Sequence, residues 1–473
     1  MKLSTSLTLL RPGPNGLEVF WARRRNERAF LGGFHAFFAG SVEDDDRDLK
    51  SAALRECFEE SGLLFTAEGI LRFPKPDRTE ERFHQALPSM KTSMPRLHSF
   101  GWWATPEWLS PAFTTLFFGL ILSREEGLAL EDLAEGLDQD EFATGTWISL
   151  PRALEAWRRG EAYLSSPISE LLRHLHDHPP QMPLPAPLGP SQEQPFSDGL
   201  IEFIQGLVVM PLPTLTLPPA THTNCVILGT KRFLIIDPGP SDPALLAPLI
   251  ELVERRIQDG DRPLALLATH HHGDHVGGLA LLAKHFELPI LGHPETLSRL
   301  SFPGLTTREV HHGDEFEIDE PGPARALHTP GHAPGHLAIY LKEPEVLLAA
   351  DLVASRGTII IDPPEGNMGR YLASLEEARS LQARALLPSH GQLIVDPDAH
   401  LQGYIAHRLH REELIFQALS HQGPSTARDL IPLAYPEIPS HVWPLAERSL
   451  LAHLEHLAEA GRIHRQGDLF LPP

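Results

Sequence analysis

Apolar residues fall into short runs in two long stretches of the chain, and a proline-rich stretch divides them. In the first, Ser4 to Leu10 and Leu17 to Ala22 are strand-like runs whose connector includes Pro-Gly-Pro-Asn-Gly, which predicts a β-hairpin. Leu49-Lys-Ser-Ala-Ala-Leu-Arg-Glu-Cys-Phe-Glu-Glu-Ser-Gly62 reads as a helix stopped by its glycine. Trp147-Ile-Ser-Leu-Pro151 leads into a further helix expected to reach His174. From His176 to Pro195 the chain reads HDHPPQMPLPAPLGPSQEQP; no helical or strand period survives so many prolines, which predicts a semi-rigid linker.

The second stretch alternates strands and helices, as a layered α/β domain does. Thr223-Asn-Cys-Val-Ile-Leu-Gly229 and Arg232-Phe-Leu-Ile-Ile-Asp-Pro-Gly239 are two strands with a turn, and Cys225 is expected as a small core residue. Leu264-Ala-Leu-Leu-Ala268 has the length of a buried strand. Helix-like segments run from Pro243 to Arg256 and from Gly277 to His285. Towards the end, Tyr404 to His421, Ala427 to Ala434 and Pro444 to Ala460 are helical, and Gly461-Arg-Ile-His precedes Asp468-Leu-Phe-Leu471. Two short helices, a longer one and a hairpin describe a winged helix. The expected division is 1–175, a linker over 176–199, 200–400, and 401–473.

Composition narrows the class. At 473 residues the chain exceeds one ordinary core, and 42% apolar with 22% charged residues describes a globular protein. A net charge of −22 repels phosphate backbones on average and counts against non-specific nucleic-acid binding. From Leu401 onward the bases Arg408, Arg411, Arg428, Arg448, Arg462 and Arg465 are outnumbered by eight acids, so sequence-specific DNA recognition is not expected of the tail. Two cysteines, Cys57 and Cys225, exclude a disulfide framework and fit the cytoplasm. No apolar run approaches the ~20 residues that span a bilayer, so no membrane association is expected.

The first candidate chemistry is acidic. Glu56, Glu59 and Glu60 are spaced i, i+3, i+4 on one helix face, where Mg²⁺ or Mn²⁺ with oxygen ligands would relieve their repulsion. Arg55-Glu-Cys-Phe-Glu-Glu-Ser-Gly-Leu63 resembles the core of the Nudix box, REUxEExGU with U apolar. That resemblance implies an α/β/α sandwich and hydrolysis of a nucleoside diphosphate linked to a second group. Glu59 and Glu60 would be catalytic metal ligands, Glu56 a further ligand or base, and Arg55 would orient a glutamate. Upstream, Gly40 and Asp46 occupy the places of the family's glycine and first glutamate, with one extra residue between Asp46 and Arg55. Trp103-Ala-Thr-Pro-Glu107, Phe113-Thr-Thr-Leu-Phe-Phe118 and Trp147-Ile-Ser-Leu-Pro151 resemble the subgroup that includes coenzyme A diphosphatases.

The second is a histidine cluster, Thr269-His-His-His-Gly-Asp-His-Val-Gly-Gly278, at the end of a predicted strand. Imidazoles and a carboxylate converging on a loop point to a metal such as zinc. Farther on, His332 lies in the turn His328-Thr-Pro-Gly-His-Ala-Pro-Gly-His336, Val346-Leu-Leu-Ala-Ala-Asp351 ends a strand on a carboxylate, and Leu386-Leu-Pro-Ser-His-Gly391 ends another on His390. The pattern His270-x-His272-x-Asp274-His275, then His332, Asp351 and His390, resembles the metallo-β-lactamase superfamily. It implies an αβ/βα sandwich with two Zn²⁺. His270, His272 and His332 would hold one ion, Asp274, His275 and His390 the other, with Asp351 bridging and Asp274 also orienting the nucleophile. His271 is expected to be exposed, and His336 to lie behind the ligands or face substrate. Arg356, Thr358, Arg370 and Tyr371 are candidates to line the cleft.

Gly366-Asn-Met-Gly-Arg-Tyr-Leu-Ala-Ser-Leu375, Tyr404-Ile-Ala-His-Arg-Leu-His-Arg-Glu-Glu413 and the winged helix resemble the β-lactamase-like protein 2 group. That group includes an endoribonuclease selective for single strands, which makes phosphodiester hydrolysis of single-stranded RNA the leading expectation. The alternative is a hydrolase of thioesters or coenzyme A derivatives, with the Nudix half a ligand-sensing module.

Overall fold

The computed structural model describes residues 2–28, 31–66, 69–90, 97–104, 113–178, 201–436 and 438–473. The chain divides into two compact units, Met1–Val208 and Val209–Pro473.

In the first unit the strand Lys2–Gly13 pairs antiparallel with Gly16–Arg24 and with Phe38–Ser41, and parallel with Phe113–Ile121. Its side chains go alternately to two cores. Leu7 and Leu9, with Phe20, pack on Ala53, Leu54, Cys57 and Phe58 of the helix Leu49–Ser61. Leu10, with Val19 and Trp21, packs on Trp157, Leu171 and Leu175. Both faces are covered, so the strand reads as a run rather than as strict alternation. The Asp48 carboxylate accepts the Ser51 amide at 2.8 Å and starts the helix. Gly62 ends it at φ 77°, and a Cβ there would lie 2.2 Å from the Phe73 carbonyl.

The single helix expected up to His174 is two, Leu150–Arg158 and Ser166–Asp177. Gly160 turns the chain through φ 66° between them, and a proline in the first turn of the second restarts it. The second helix thus enters the stretch expected as linker. Residues 179–200 lie outside the described residues, as do residues 105–107 of the Trp103–Glu107 match.

In the second unit, one sheet contains His222–Leu228, Arg232–Ile236, Arg262–Leu267, Ile290–Gly292 and Thr307–Glu309. The other orders Glu315–Phe316, Ala324–His328, Leu337–Leu341, Val346–Ala350 and Ala385–Pro388. Helices Pro243–Gln258 and Leu279–Phe286 flank the first sheet, and Met368–Ser380 and Pro397–Gln422 share a core with the second. This is the αβ/βα sandwich. Pro397–Gln422 runs without a break through residue 400. Ala427–Ala434, Trp443–Glu459 and the hairpin of His464–Gln466 with Leu469–Leu471 then close on Ile415, Leu430, Leu450 and Phe470, completing the winged helix. Among the described residues no helix is long and apolar enough to cross a membrane.

Candidate metal centre

Four segments deliver the histidine site, each at the end of an element that packs in the sandwich. His270 and His272 follow Arg262–Leu267, and the short helix Gly273–Val276 carries Asp274 and His275. His332 sits in the turn after Ala324–His328, Asp351 directly follows Val346–Ala350, and His390 follows Ala385–Pro388. Ligand atoms of His270, His272 and His332 lie within 4.8 Å of one another, as do those of Asp274, His275 and His390, and those of His270, His275 and Asp351. The Asp351 carboxylate faces both sides. One oxygen is 3.6 Å from His332 Nε2 and 3.6 Å from His275 Nε2, and the other is 3.4 Å from His390 Nε2.

The donors fit a metal. His272 Nδ1 is 3.1 Å from His270 Nε2 and 3.0 Å from His332 Nε2, close to the roughly 3.3 Å that separates nitrogens tetrahedrally bound to zinc. His275 Nε2 and Asp351 Oδ1 are buried with no hydrogen-bond partner, the condition a cation would relieve. Burial and neighbouring histidines hold the His270 imidazole well below its usual range, and burial with His332 brings His272 down to about 3. Each ring is therefore neutral at neutral pH, with one nitrogen carrying a lone pair for a metal and the other an N–H. Burial also opposes protonation of His275 and ionisation of Asp351, yet each overrides that cost on the other: His275 is raised and Asp351 lowered.

A second layer aims the ligands. His332 Nδ1 donates to the Ile360 carbonyl at 2.8 Å, and His390 Nδ1 to the His222 carbonyl at 2.9 Å, which leaves each Nε2 turned inward. Asp237, 1% exposed, accepts from His275 Nδ1 at 2.8 Å, from the Thr269 hydroxyl at 2.6 Å and from the Thr269 amide at 2.8 Å. It holds φ 50°, and Ala350, just before Asp351, holds φ 46°, conformations that cost about 1–3 kcal/mol each and persist where surroundings fix them. Sequence reasoning missed Asp237, since Ile236-Asp-Pro-Gly239 reads as a strand and a turn. The ligand loop is seated on that turn backbone to backbone. A Cβ on Gly277 would lie 2.3 Å from the Gly239 carbonyl oxygen, and one on Gly239 would lie 2.0 Å from the Asp274 carbonyl oxygen.

Three expectations around the site are corrected. His336 does not face substrate: it is fully buried, Nδ1 meets the Thr329 hydroxyl at 2.8 Å, and Nε2 accepts the Asp351 amide at 3.1 Å. Burial lowers it to about 3, so it acts as an acceptor that fixes Asp351. Tyr371 is also fully buried and donates to the Leu352 carbonyl at 2.8 Å, a core role in place of a cleft role. His271 is largely covered, with Nε2 3.0 Å from Glu365. Arg356, Thr358 and Arg370 are exposed.

The Nudix carboxylates are arranged differently. Arg55, 1% exposed, donates to both Asp46 oxygens at 3.1 and 3.0 Å, to Glu56 at 2.9 Å and to Glu59 at 3.3 Å. Glu60 turns away to accept the Ala39 amide at 3.1 Å. Gly40 leaves room for Glu56, whose carboxylate would lie 2.2 Å from a Cβ there. Burial, partly offset by Arg55, raises Glu56 to about 7, and burial with Glu56 also raises Glu60 well above the usual carboxylate range. Among the described residues Glu56, Glu59 and Glu60 do not come within 4.8 Å as a ligand set. In this arrangement they do not converge as a ligand set for Mg²⁺ or Mn²⁺, because Arg55 engages Glu56 and Glu59 and the Ala39 amide draws Glu60 away.

The αβ/βα sandwich with this donor set defines a metallo-β-lactamase-fold hydrolase. Residues 218–390 match the metallo-beta-lactamase superfamily, residues 426–470 the beta-lactamase associated winged helix domain, and residues 4–163 the NUDIX domain. By these matches the chain is a hydrolase of the metallo-β-lactamase fold that also carries a Nudix domain and a winged helix. It is 27% identical over 255 residues to the beta-lactamase-like protein 2 homolog of Drosophila melanogaster, covering 51% of this chain and 84% of that protein. A hydroxyacylglutathione hydrolase of Rhizobium meliloti is 39% identical over 110 residues, 23% of this chain and 40% of that protein. An atrochrysone carboxyl ACP thioesterase of Cryptosporiopsis sp. is 30% identical over 200 residues, 42% of this chain and 58% of that protein.

Proposed function

We propose that the metallo-β-lactamase domain is a dinuclear zinc hydrolase of acyl thioesters, with coenzyme A derivatives as the substrate class. The observation that carries it is the pair of histidine-containing triads with Asp351 facing both. His270, His272 and His332 would hold one ion and Asp274, His275 and His390 the other, bridged by Asp351. When bound, the two ions supply Lewis acidity and lower the pKa of water towards neutrality. Asp274, partly open to solvent, orients the attacking water and takes its proton. The water's hydroxyl adds to the acyl carbon, the C–S bond breaks, and the proton leaves on the thiol.

One of the relatives named above is a thioesterase by name and another a hydroxyacylglutathione hydrolase, which supports thioesters over RNA. So does the charge: Arg428, Arg448, Arg462 and Arg465 of the tail each pair with a carboxylate, which leaves little free base for a phosphate backbone. The second reading, hydrolysis of phosphodiesters in single-stranded RNA, is favoured by exposed Arg356 and Arg370. A division into a Nudix part, a linker, a metallo-β-lactamase part and a winged-helix tail, and a cytoplasmic location, belong to the same proposal; the buried free thiols of Cys57 and Cys225 support the latter.

The test is turnover of acyl-coenzyme A and of single-stranded RNA by the zinc-loaded full chain, beside Asp351→Ala. Thioester turnover that the substitution abolishes is the expected result. RNA cleavage alone, equally dependent on Asp351, would replace the thioester reading with the second, and thioester turnover that survives the substitution would sink the zinc-centred reading.

A further inference from the structure

The segment from Asp351 to Ile361 joins two parts of the metal centre. It begins on the carboxylate between the triads and ends beside the Ile360 carbonyl that receives His332 Nδ1–H at 2.8 Å. Apart from Gln392 and its neighbours, the groups that hold it come largely from helices outside the sandwich's ligand loops. Tyr404 Oη accepts the Ala354 amide at 2.9 Å and lies 3.0 Å from the Gly357 carbonyl. His400 Nε2 meets the Ala354 carbonyl at 3.0 Å. Arg408 Nη2 donates to the Ile359 carbonyl, next to Ile360, and its guanidinium carbon stands 5.4 Å from the centre of the Tyr371 ring.

All three donors lie on Pro397–Gln422, the helix that continues into the winged helix. Arg408 is 3% exposed and Tyr404 6%. A guanidinium is costly to bury and is kept where it fixes specific acceptors. The same helix carries Glu412, 6% exposed, which meets His456 at 2.6 Å and lies 3.8 Å from His453, both on Trp443–Glu459. From that second helix Arg448 reaches Asp362 at 2.5 Å and Glu459 reaches Asn367 at 3.2 Å. The winged helix therefore grips both ends of one wall of the metal site.

We propose that Arg408, with Tyr404, is a positioning residue for the metal centre: it fixes Ile359 and so aims the Ile360 carbonyl that orients His332. The winged-helix tail is then part of the hydrolase's metal site. The proposal rests on His332 being a metal ligand and holds for either substrate.

Cobalt replaces zinc as the probe, because its ligand-field spectrum reports the coordination of each ion. The full chain is compared as wild type, Arg408→Met, Arg408→Lys, Tyr404→Phe and Leu430→Ala, the last a cavity in the winged-helix core far from the segment. Substitutions of this outer kind lower metal affinity about 10–100-fold. Arg408→Met and Tyr404→Phe are expected to weaken cobalt binding within that range and shift the spectrum. Arg408→Lys, which keeps one donor for Ile359, should recover part of both, while Leu430→Ala lowers thermal stability with an unchanged spectrum. If Arg408→Met does not fold, Arg408→Lys and Tyr404→Phe decide. Wild-type affinity and spectrum in the Arg408 and Tyr404 variants, or an equal shift in Leu430→Ala, overturn the proposal. Failure of wild type itself to bind cobalt would instead strike at the zinc-centred reading beneath it.

Discussion

At the histidine centre, donors from four separate segments turn towards one another; on the helix Leu49–Ser61, Glu56 and Glu59 converge on Arg55 while Glu60 turns away to the Ala39 amide. Chemistry explains the contrast. A neutral imidazole tolerates burial, so His270 and His272 can face each other before any cation arrives. Carboxylates cannot. Here Arg55 supplies a partner to Glu56 and Glu59, and the Ala39 amide one to Glu60. A pre-formed site is thus a property of the ligand type as much as of the fold.

The contrast breaks most visibly at Asp351. Asp351→Ala should lower hydrolysis more than about 100-fold, beyond the range typical of outer residues, because it removes the donor shared by both triads. Steady-state rates at saturating zinc check this, and a loss under tenfold would mean the triads work independently. Asp237→Asn should cost about 10–100-fold in zinc affinity, read by competition with a chelator, since it disturbs His275 and Thr269 together.

On the Nudix side His35 gives burial without a ligand set. Burial, helped by Arg23, holds it at about 4 against an ordinary 6.5. Between those values the unfolded chain takes a proton that the folded chain refuses. Stability of the first unit should therefore fall as pH drops from 6.5 towards 4, by at most about 1.4 kcal/mol per pH unit. Urea unfolding across that window, with His35→Phe flattening the slope, is the measurement. The smallest effect is expected at Glu60: Glu60→Gln keeps the Ala39 bond and should change metal-free stability by less than about 1 kcal/mol. Millimolar Mg²⁺ should raise the melting temperature little in either form. A large Mg²⁺ stabilisation that Glu60→Gln removes would show that Arg55 yields its carboxylates to a cation.

Most of the histidine site was legible because each ligand ends an apolar run or opens a Gly/Pro turn, so Val346–Ala350 announces Asp351 and Ala385–Pro388 announces His390. What escaped depends on which way distant packing turns a side chain. Asp237 looks like a turn residue until His275 is brought 2.8 Å away. His336 lies four residues after His332 and Tyr371 lies between Asp351 and His390, yet both face the core and hold backbone there. The break at Gly160 escaped because the residues on either side keep a helical pattern, while the backbone reversal is local to one glycine. On the acidic helix the i, i+3, i+4 spacing was visible, and the diversion of Glu60 to the Ala39 amide was not.

The contact of Gly277 and Gly239 carries a consequence for how this site can vary. Side chains around a metal can drift and be compensated by neighbours, whereas two backbones in direct contact leave nothing to trim. With spacings of 2.3 and 2.0 Å for a hypothetical methyl, even alanine at either position would force the ligand loop off the Asp237 turn. Asp274 and His275 would move as one body away from His390. These two glycines are thus a seam that admits no side chain, whatever surrounds the metal site.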